Sequence, residues 1–337
     1  MLNFEFSKLD IKNIKINPFS KYLDIISAYK IKKLIGTQLD IIHIHQSGDL
    51  STAVLLKKLF HFSKIVYSQQ MDSRFNKKDL FHKWIYKNVD QIVTMTNDMK
   101  NNHIANTPVN KKNITTIYNG IDLSRFSKKY TYDKDLFLTS LNIPLNRIVL
   151  GCVARLDSLK NQALLIDSVA LLIKEKNLNL HLLIIGDETD SITGKGYKQK
   201  LIEKVNNLSL SKNVTFIEFT NEIDKYFDIM DIFVLPTDKE SFGYVLIEAM
   251  AKGKPVIASN QCGPLEIIEN GKNGFHFESR NKLDLAEKIE KLSESEEIRQ
   301  TMGKNSHEIA LKKFDFKVTI DLYVNLFERL IEQKVNK

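Results

Sequence analysis

The sequence predicts an α/β protein with two domains, each built on a parallel β-sheet that helices cover on both faces. Short β-branched or aromatic runs alternate with segments of helical apolar periodicity, which is the pattern of a parallel sheet. This alternation stops after residue 118 and starts again at Arg147. The length of 337 residues also exceeds a single comfortable core, so two domains are expected.

The two series of elements differ in size. The first predicts strands at 40–45, 64–68, 91–95 and 114–118, with helices at 21–36, 50–60 and 78–87. The second predicts strands at 148–153, 180–185, 214–217, 232–235, 255–259 and 274–277, with helices at 161–175, 197–208, 296–313 and 316–332 among those between and after them. Residues 123–142 are polar and cationic with little apolar periodicity, which indicates a linker. Ligands of such folds gather at the carboxyl ends of the strands.

The composition is that of a globular protein in a reducing compartment. Hydrophobic residues make up 43% of the chain, and its two cysteines show no spacing typical of zinc ligands or a disulfide framework. The N-terminus lacks the cationic and apolar regions of a signal peptide, and no window reaches the roughly 18 apolar residues of a membrane span. We therefore expect a cytoplasmic protein that is neither exported nor membrane-spanning.

The net charge of +8 is concentrated in the first half of the chain. Residues 1–145 contain 22 Lys and Arg against 12 Asp and Glu, a net charge of +10, and the remainder carries 27 against 29, or −2. The lysines are dispersed and no RNA-binding aromatic motif is present, which argues against nucleic acid. An anionic lipid surface, on the inner face of the membrane, or a phosphorylated acceptor fits this charge. A lysine-rich, AT-biased bacterial proteome is the alternative explanation.

The segment from Asp231 to Gly253 is the most informative stretch. It contains a predicted buried strand at 232–235, a stop at Pro236, a loop and a helix over 243–251. A helix start of this kind offers backbone N–H groups to an anion, here those of Phe242, Gly243 and Tyr244. Two carboxylates flank this start, Glu240 in the loop and Glu248 inside an apolar helix, where a carboxylate needs hydrogen-bond donors. A structural bond to a neighbouring loop is the alternative role for Glu248.

Two further strand ends carry polar side chains. Arg155 follows the strand at 148–153, and Lys160 comes five residues later, before a helix. Two fixed cations there could bind an anionic group without a metal, although exposed surface charges are the alternative. His45 ends the strand at 40–45, and His43 is expected on the opposite face of that strand. Asp133 and Asp135 form a DxD sequence. Because no strand precedes this sequence, we interpret it as part of a solvated linker.

Several of these segments resemble one family. The motifs are ESFGYVLIEAMAKGKPVIAS from Glu240, DIIHIHQSG from Asp40, YNGID from Tyr118, GCVARLDSLKNQ from Gly151, and NQCGPLEI from Asn260. Together they resemble the retaining nucleotide-sugar glycosyltransferases of family 4, over about residues 40–330. The resemblance implies the GT-B fold, with two Rossmann-like domains whose parallel sheets face a central cleft. It places an acceptor-side domain at 1–130, a linker at 131–145, a nucleotide-sugar domain at 146–315 and a helix crossing back at 316–337.

The resemblance also implies roles for individual residues. Glu240 would contact the transferred sugar and Glu248 the ribose diol of the nucleotide. Arg155 and Lys160 would neutralise the leaving diphosphate, and His45 would line the cleft opposite the donor sugar. The expected catalytic group is therefore Glu240, His45, Arg155 and Lys160. Further donor contacts would come from the backbone amides of Ser241, Phe242, Gly243 and Tyr244.

The function implied is transfer of a sugar, with retention, from a UDP- or GDP-sugar to a glycan or lipid-linked acceptor. The pathway implied is bacterial lipopolysaccharide, capsule or other envelope polysaccharide synthesis, without a metal or another cofactor. A silent nucleotide-sugar-binding protein and a GT-B epimerase or phosphorylase are the alternatives. One departure from the family is that no glycine precedes Gly36, where family members have a strand and a Gly-rich loop. We expect the first domain to lack this unit or the sequence to begin downstream of it.

Overall fold

The computed structural model describes residues 15–20, 23–36, 39–60, 63–71, 75–126 and 132–335. These residues form two compact units, which we call unit 1 and unit 2. Unit 1 comprises Met1–Ile117 and Tyr323–Lys337, and unit 2 comprises Tyr118–Leu322. The predicted α/β class is confirmed, because each unit contains one parallel sheet with helices between its strands. None of the helices in the described ranges is long and apolar enough to cross a membrane.

Unit 1 contains a four-stranded parallel sheet in the order β1-β2-β3-β4. In chain order its elements are α1 (Ile25–Ile35), β1 (Ile41–Ile44), α2 (Leu50–Leu59), β2 (Lys64–Gln69), α3 (Leu80–Asn88), β3 (Gln91–Thr94), α4 (Asn97–Asn106) and β4 (Ile114–Thr116). The apolar residues of β2 and β3 are almost fully buried, as expected for central strands covered on both faces. The strand predictions are confirmed here to within a few residues, and α4 is an additional helix.

Unit 2 contains a six-stranded parallel sheet in the order β10-β9-β8-β5-β6-β7. Its elements are α5 (Lys134–Ser140), β5 (Ile148–Val153), α6 (Gln162–Lys176), β6 (Leu180–Ile185), α7 (Tyr197–Asn207), β7 (Val214–Ile217), α8 (Ile223–Ile229), β8 (Ile232–Leu235), α9 (Tyr244–Ala251), β9 (Val256–Ser259), α10 (Pro264–Ile267), β10 (Gly274–Phe277), α11 (Lys282–Ser293), α12 (Glu296–Phe314) and α13 (Phe316–Val335). The six predicted strands are confirmed. Their side chains are largely buried between helices on the two faces.

The range 131–145, expected to be a linker, contains the helix α5 within its described part. Asp133 caps this helix by accepting hydrogen bonds from the N–H groups of Asp135 and Leu136 at 2.9 and 3.3 Å. Phe137 packs against Tyr226 of α8, with ring centroids 5.3 Å apart. This contact and the burial of Leu138 indicate that the segment is folded as part of unit 2.

The last helix, α13, belongs to both units, since the boundary falls after Leu322. From Tyr323 onward it contributes to unit 1, where Leu326 and Leu330 join a buried cluster with Val66 of β2 and Val93 of β3. The Tyr323 hydroxyl lies 2.7 Å from Ser68 Oγ at the same place. Apolar burial and one hydrogen bond thus hold the end of the chain on the sheet of unit 1.

Candidate functional site

The strand order of unit 2 identifies where a ligand would bind. The chain runs outward from β5 to β6 and β7, and then returns to the other side of β5 with β8, β9 and β10. The change of direction lies between β5 and β8, and open parallel sheets bind ligands beyond the carboxyl ends of the strands at such a point. The segment carrying Arg155 and Lys160 leaves β5 there, and the segment carrying Glu240 leaves β8. Three predicted residues, Arg155, Lys160 and Glu240, thus lie in segments that leave the sheet at this edge. The fourth, Glu248, lies in α9, the helix that follows.

A cavity of about 500 Å³ lies at the carboxyl ends of β5, β6 and β7. Arg155 and Glu248 both line it, which brings one predicted cation and one predicted carboxylate into the same space. The other lining residues come from the strand ends, the following loops and one 3₁₀ turn: Arg125, Val153, Ala154, Ile185, Gly186, Asp187, Glu188, Thr189, Phe219, Thr220, Asn221 and Ile223. The mixture of apolar walls with a few polar groups is typical of a small-molecule site.

Lys160 and Glu240 form an ion pair, with Lys160 Nζ 2.8 Å from Glu240 Oε2. Two hydrogen bonds to the carbonyl of Leu159 bring their loops together, from the Asp238 N–H and the Thr237 hydroxyl, each at 3.2 Å. Both charged side chains are about four-fifths buried, with 18% and 22% of their surfaces exposed. The pair therefore fixes the position of two predicted catalytic residues relative to each other.

Asp157 holds the turn that carries Lys160. Its carboxylate accepts hydrogen bonds from the Leu159 N–H at 2.9 Å and from the hydroxyls of Ser191 and Thr193 at 3.1 and 2.9 Å. Burial acts to raise the pKa of Asp157, but these hydrogen bonds outweigh it and the pKa is lowered. The ionised carboxylate thus connects the Lys160 turn to the loop after β6, which lines the cavity.

The loop between β8 and α9 has a backbone that glycine makes possible. Gly243 precedes α9 with φ of +111°, which other residues rarely adopt. A Cβ at Gly263 would lie 2.2 Å from the carbonyl oxygen of Phe242, so only glycine allows this close approach. The side chain of Phe242 is fully buried and stacks on Tyr118 with ring centroids 6.5 Å apart. These contacts set the loop in place and leave the N–H groups of 241–243 without a backbone carbonyl partner among the described residues.

Glu248 is a half-buried carboxylate with an unusually high pKa. Burial raises its pKa to about 7, and the nearby guanidinium of Arg125 only partly opposes this. Within the part of the chain that the structure describes, no group donates a hydrogen bond to this carboxylate. The described contacts therefore contain no hydrogen bond from a neighbouring loop to Glu248, which was the alternative role. The carboxylate is placed to accept donors from a ligand in the cavity.

His45 lies in unit 1, directly after β1, and its side chain is exposed. The expectation that His43 lies on the opposite face is wrong, because the two rings are in contact with centroids 4.2 Å apart. Residues two apart in a strand share one face. Burial, together with the charge of His45, lowers the pKa of His43 to about 4, and His43 Nε2 lies 2.8 Å from Ser68 Oγ. His43 is thus a neutral structural residue beside the exposed His45.

The structure adds cavity residues that the motifs did not identify. Arg125 lies on a 3₁₀ turn at Leu123–Phe126, directly after the YNGID segment. Glu188 and Thr189 follow β6, and Asn221 precedes α8. Glu266, which lies in the NQCGPLEI segment, accepts a hydrogen bond from the Tyr118 hydroxyl at 3.0 Å.

No group of three or more His, Cys, Asp or Glu side chains that could hold a metal ion occurs in the ranges that the structure describes. Asp133 and Asp135, which spell DxD, lie at the start of α5, where Asp133 is a helix cap. Among the described residues, Arg125, Arg155 and Lys160 supply the positive charge of the candidate site.

Comparisons with known proteins agree with this architecture. The sequence profile of the family described as glycosyl transferases group 1 matches residues 133–309, and that of glycosyltransferase family 4 matches residues 10–125. An uncharacterized glycosyltransferase of Methanocaldococcus jannaschii is 28% identical over 97% of this chain and 86% of its own length. The capsular polysaccharide biosynthesis glycosyltransferase CapM of Staphylococcus aureus is 29% identical over 73% of this chain and 63% of its own.

Solved structures show the same fold. A glycosyltransferase from Rickettsia africae superimposes with a TM-score of 0.85 at 21% identity, over 98% of this chain and 88% of that protein. Anabaena HepE, solved in complex with UDP, gives a TM-score of 0.80 at 21% identity, over 96% and 88% of the two chains. Since the first family profile matches more than half of the 337 residues, the chain belongs to the glycosyl transferases group 1 family, as a glycosyltransferase of the GT-B fold.

Proposed function

We propose that the protein transfers a sugar, with retention at the anomeric carbon, from a UDP- or GDP-sugar to a glycan or lipid-linked acceptor of the bacterial envelope. The observation that carries the donor half of this proposal is the half-buried Glu248 carboxylate, which lines a 500 Å³ cavity without a donor from the described residues. The two hydroxyls of a ribose are donors of the required kind. Arg155 on the same cavity would bind the diphosphate.

The remaining site residues have complementary roles in this proposal. Lys160, oriented by its ion pair with Glu240, stabilises the charge that develops on the leaving diphosphate, so that no metal is needed. Glu240 orients the transferred sugar, together with the backbone amides of 241–244. His45 contributes from the acceptor side. The assignment of retention rests on the family resemblance of the segment from Glu240 to Glu248.

The identity of donor and acceptor is proposed from relatives. HepE is solved with UDP and with UDP-glucose, which makes a UDP-sugar the first donor to test. CapM is named for capsular polysaccharide biosynthesis, and a Campylobacter jejuni relative, 31% identical over 63% of this chain and 53% of its own length, for transfer to a diphospho-undecaprenol acceptor. These names support a polysaccharide or lipid-linked acceptor. We propose that the protein acts at the inner face of the membrane, where the basic first half of the chain would bind to anionic lipid.

The test is stabilisation of the protein by nucleotides. A ligand at about 100 times its dissociation constant stabilises a protein by about 2.7 kcal/mol, which raises the melting temperature of a 337-residue chain by roughly 4 °C. We expect this from UDP or GDP, with a larger effect than from ADP. Glu248→Gln should reduce the shift, and Glu203→Gln on the exposed side of α7 should not.

Two outcomes would count against the proposal. If none of the three nucleotides raises the melting temperature, the donor site is assigned wrongly. If a nucleotide-sugar binds but is neither transferred to a lipid-linked or glycan acceptor nor slowly hydrolysed, the protein is a nucleotide-sugar-binding protein. Transfer with inverted configuration would overturn the retaining assignment alone.

A further inference from the structure

Unit 1 contains a cavity of about 310 Å³ that the proposed donor site does not use. One wall is the segment after β1, with Ser47, Gly48 and the start of α2. The other wall is α3 and the turn before it, with Lys77 and His82. It therefore lies at the carboxyl end of β1, two residues beyond His45, where a parallel sheet places ligands.

Lys77 gives this cavity a positive charge. Burial lowers the pKa of its ammonium group, and an anion bound beside it would favour the charged form. The backbone N–H of Lys77 donates a hydrogen bond to the carbonyl of Asn106 at 2.8 Å, which holds the backbone in place at this residue. Among the described residues, no carboxylate pairs with its side chain. A partly buried ammonium without a counter-ion is a site for an anionic ligand.

His82 is held in position on the same wall. Its Nδ1 lies 2.5 Å from the carboxylate of Asp79, which also accepts the backbone N–H groups of Phe81 and His82 at 3.0 Å each. This leaves Nε2 as the ring nitrogen for another partner. An N–H group at Nε2 could donate a hydrogen bond to an anion in the cavity.

The rest of the lining suits a small anion rather than a metal or an apolar group. Among the described residues that line the cavity there is no carboxylate, and the hydroxyls of Ser47 and Ser51 supply neutral polar groups. Leu50, Phe81 and Ile85 supply apolar surface, which lowers the local dielectric and strengthens the attraction of Lys77 for an anion. The volume is sufficient for a phosphate or diphosphate with part of the attached group.

We propose that this cavity of unit 1 binds a phosphate or diphosphate group of the acceptor through Lys77 and His82. This inference rests on the proposed function, since it names the chemical class of the molecule that receives the sugar. The same chemistry is present in a lipid-linked diphosphate and in a soluble sugar phosphate. The experiment separates these two sources.

The single tryptophan, Trp84, is a built-in reporter for this cavity. It lies on α3, and its ring stacks on the lining residue Phe81 with centroids 5.9 Å apart. Titration of the full-length protein with inorganic pyrophosphate should change its fluorescence with a saturable curve. Lys77→Met should weaken binding about 10- to 100-fold, as expected for loss of a charge-assisted hydrogen bond, whereas Lys77→Arg should retain most of it.

The matched control is Lys78→Met, because Lys78 is the next residue, is exposed and does not line the cavity. Equal affinity for pyrophosphate in the Lys77→Met and Lys78→Met proteins, with melting temperatures unchanged, would overturn the proposal. So would the absence of any saturable fluorescence change in the natural protein. Arg155→Ala should leave the titration unchanged, since Arg155 lines the cavity of unit 2.

Two further titrations identify the source of the phosphate and keep this inference apart from the proposed function. Farnesyl diphosphate should bind at least tenfold more tightly than pyrophosphate if the acceptor is lipid-linked, and no more tightly than glucose 1-phosphate if it is soluble. Stabilisation by UDP should be the same in Lys77→Met and in the natural protein. If UDP does not bind to the natural protein, the proposed function is refuted, but the pyrophosphate result still stands.

Discussion

Glu248 is the side chain whose charge responds most directly to its surroundings. Its pKa is raised from 4.5 to about 7 by burial, so the folded protein holds this proton more tightly than the unfolded chain does. The stabilising contribution is fully present below pH 4.5 and is lost as the pH rises through 7. We expect Glu248→Gln, which cannot ionise, to become progressively more stable relative to the natural protein between these pH values. Urea unfolding at a series of pH values measures this difference.

UDP provides the control for that experiment. Ribose hydroxyls that donate to the Glu248 carboxylate favour its ionised form, so saturating UDP should shift the pH dependence of the natural protein toward lower pH. Parallel pH dependence in the two proteins without UDP would show that Glu248 is not perturbed. An unchanged profile with UDP, despite binding, would remove the ribose contact.

Arg155 and Lys160 allow a direct prediction about metals. If these two cations stabilise the leaving diphosphate, transfer or slow donor hydrolysis should persist in EDTA. Replacement of either residue by Ala should lower turnover by about 10²- to 10³-fold, the usual cost of losing a preorganised charge at a developing anion. Lys239→Ala is the matched control, because Lys239 is exposed and adjacent to Glu240. A strict requirement for Mg²⁺ or Mn²⁺, or unchanged turnover in both Ala variants, would contradict this mechanism.

At the scale of elements, continuous apolar runs made the strands predictable, whereas weakly patterned helices were missed. The strands of unit 2 match because runs such as 180–185 are buried along their whole length. By contrast, α4 is mostly polar and buries only Met99 and His103, which gives little apolar periodicity. The helix α5 buries only Leu138, so its sequence resembled a linker. Its partner on α8, Tyr226, is 89 residues further along the chain than Phe137, and local patterns do not reveal such a contact.

The same limit applies to the candidate site. The segments carrying Arg155, Lys160, Glu240 and Glu248 were predictable from their motifs, because each follows a strand or starts a helix. The ion pair between Lys160 and Glu240 was not, since it depends on β8 returning to the side of β5. Arg125 was missed because its segment has no strand or helix pattern, and only the folded chain brings it to the wall that contains Glu248.

For the whole molecule, the distribution of charge and exposed apolar surface predicts where it contacts other surfaces. The excess positive charge lies in the first 145 residues. In unit 1, α1 exposes Ile25, Ile26 and Tyr29, with 66%, 52% and 64% of their surfaces accessible, beside the exposed Lys30 and Lys33. Apolar side chains flanked by lysines suit the interface of an anionic lipid bilayer, to which each lysine contributes about 1 kcal/mol.

We therefore expect the protein to bind vesicles that contain phosphatidylglycerol and to be released by salt, because exposed charges are screened beyond roughly 10 Å at 0.1 M. Co-sedimentation measures the bound fraction. Lys30→Glu with Lys33→Glu should abolish most of the binding, and Lys195→Glu with Lys200→Glu, two exposed lysines of unit 2, should change it little. If binding is absent, or is insensitive to salt and to the α1 variants, the basic half of the chain serves a soluble phosphorylated acceptor instead. The pyrophosphate titration of the unit 1 cavity would then test whether such an acceptor binds to this half of the chain.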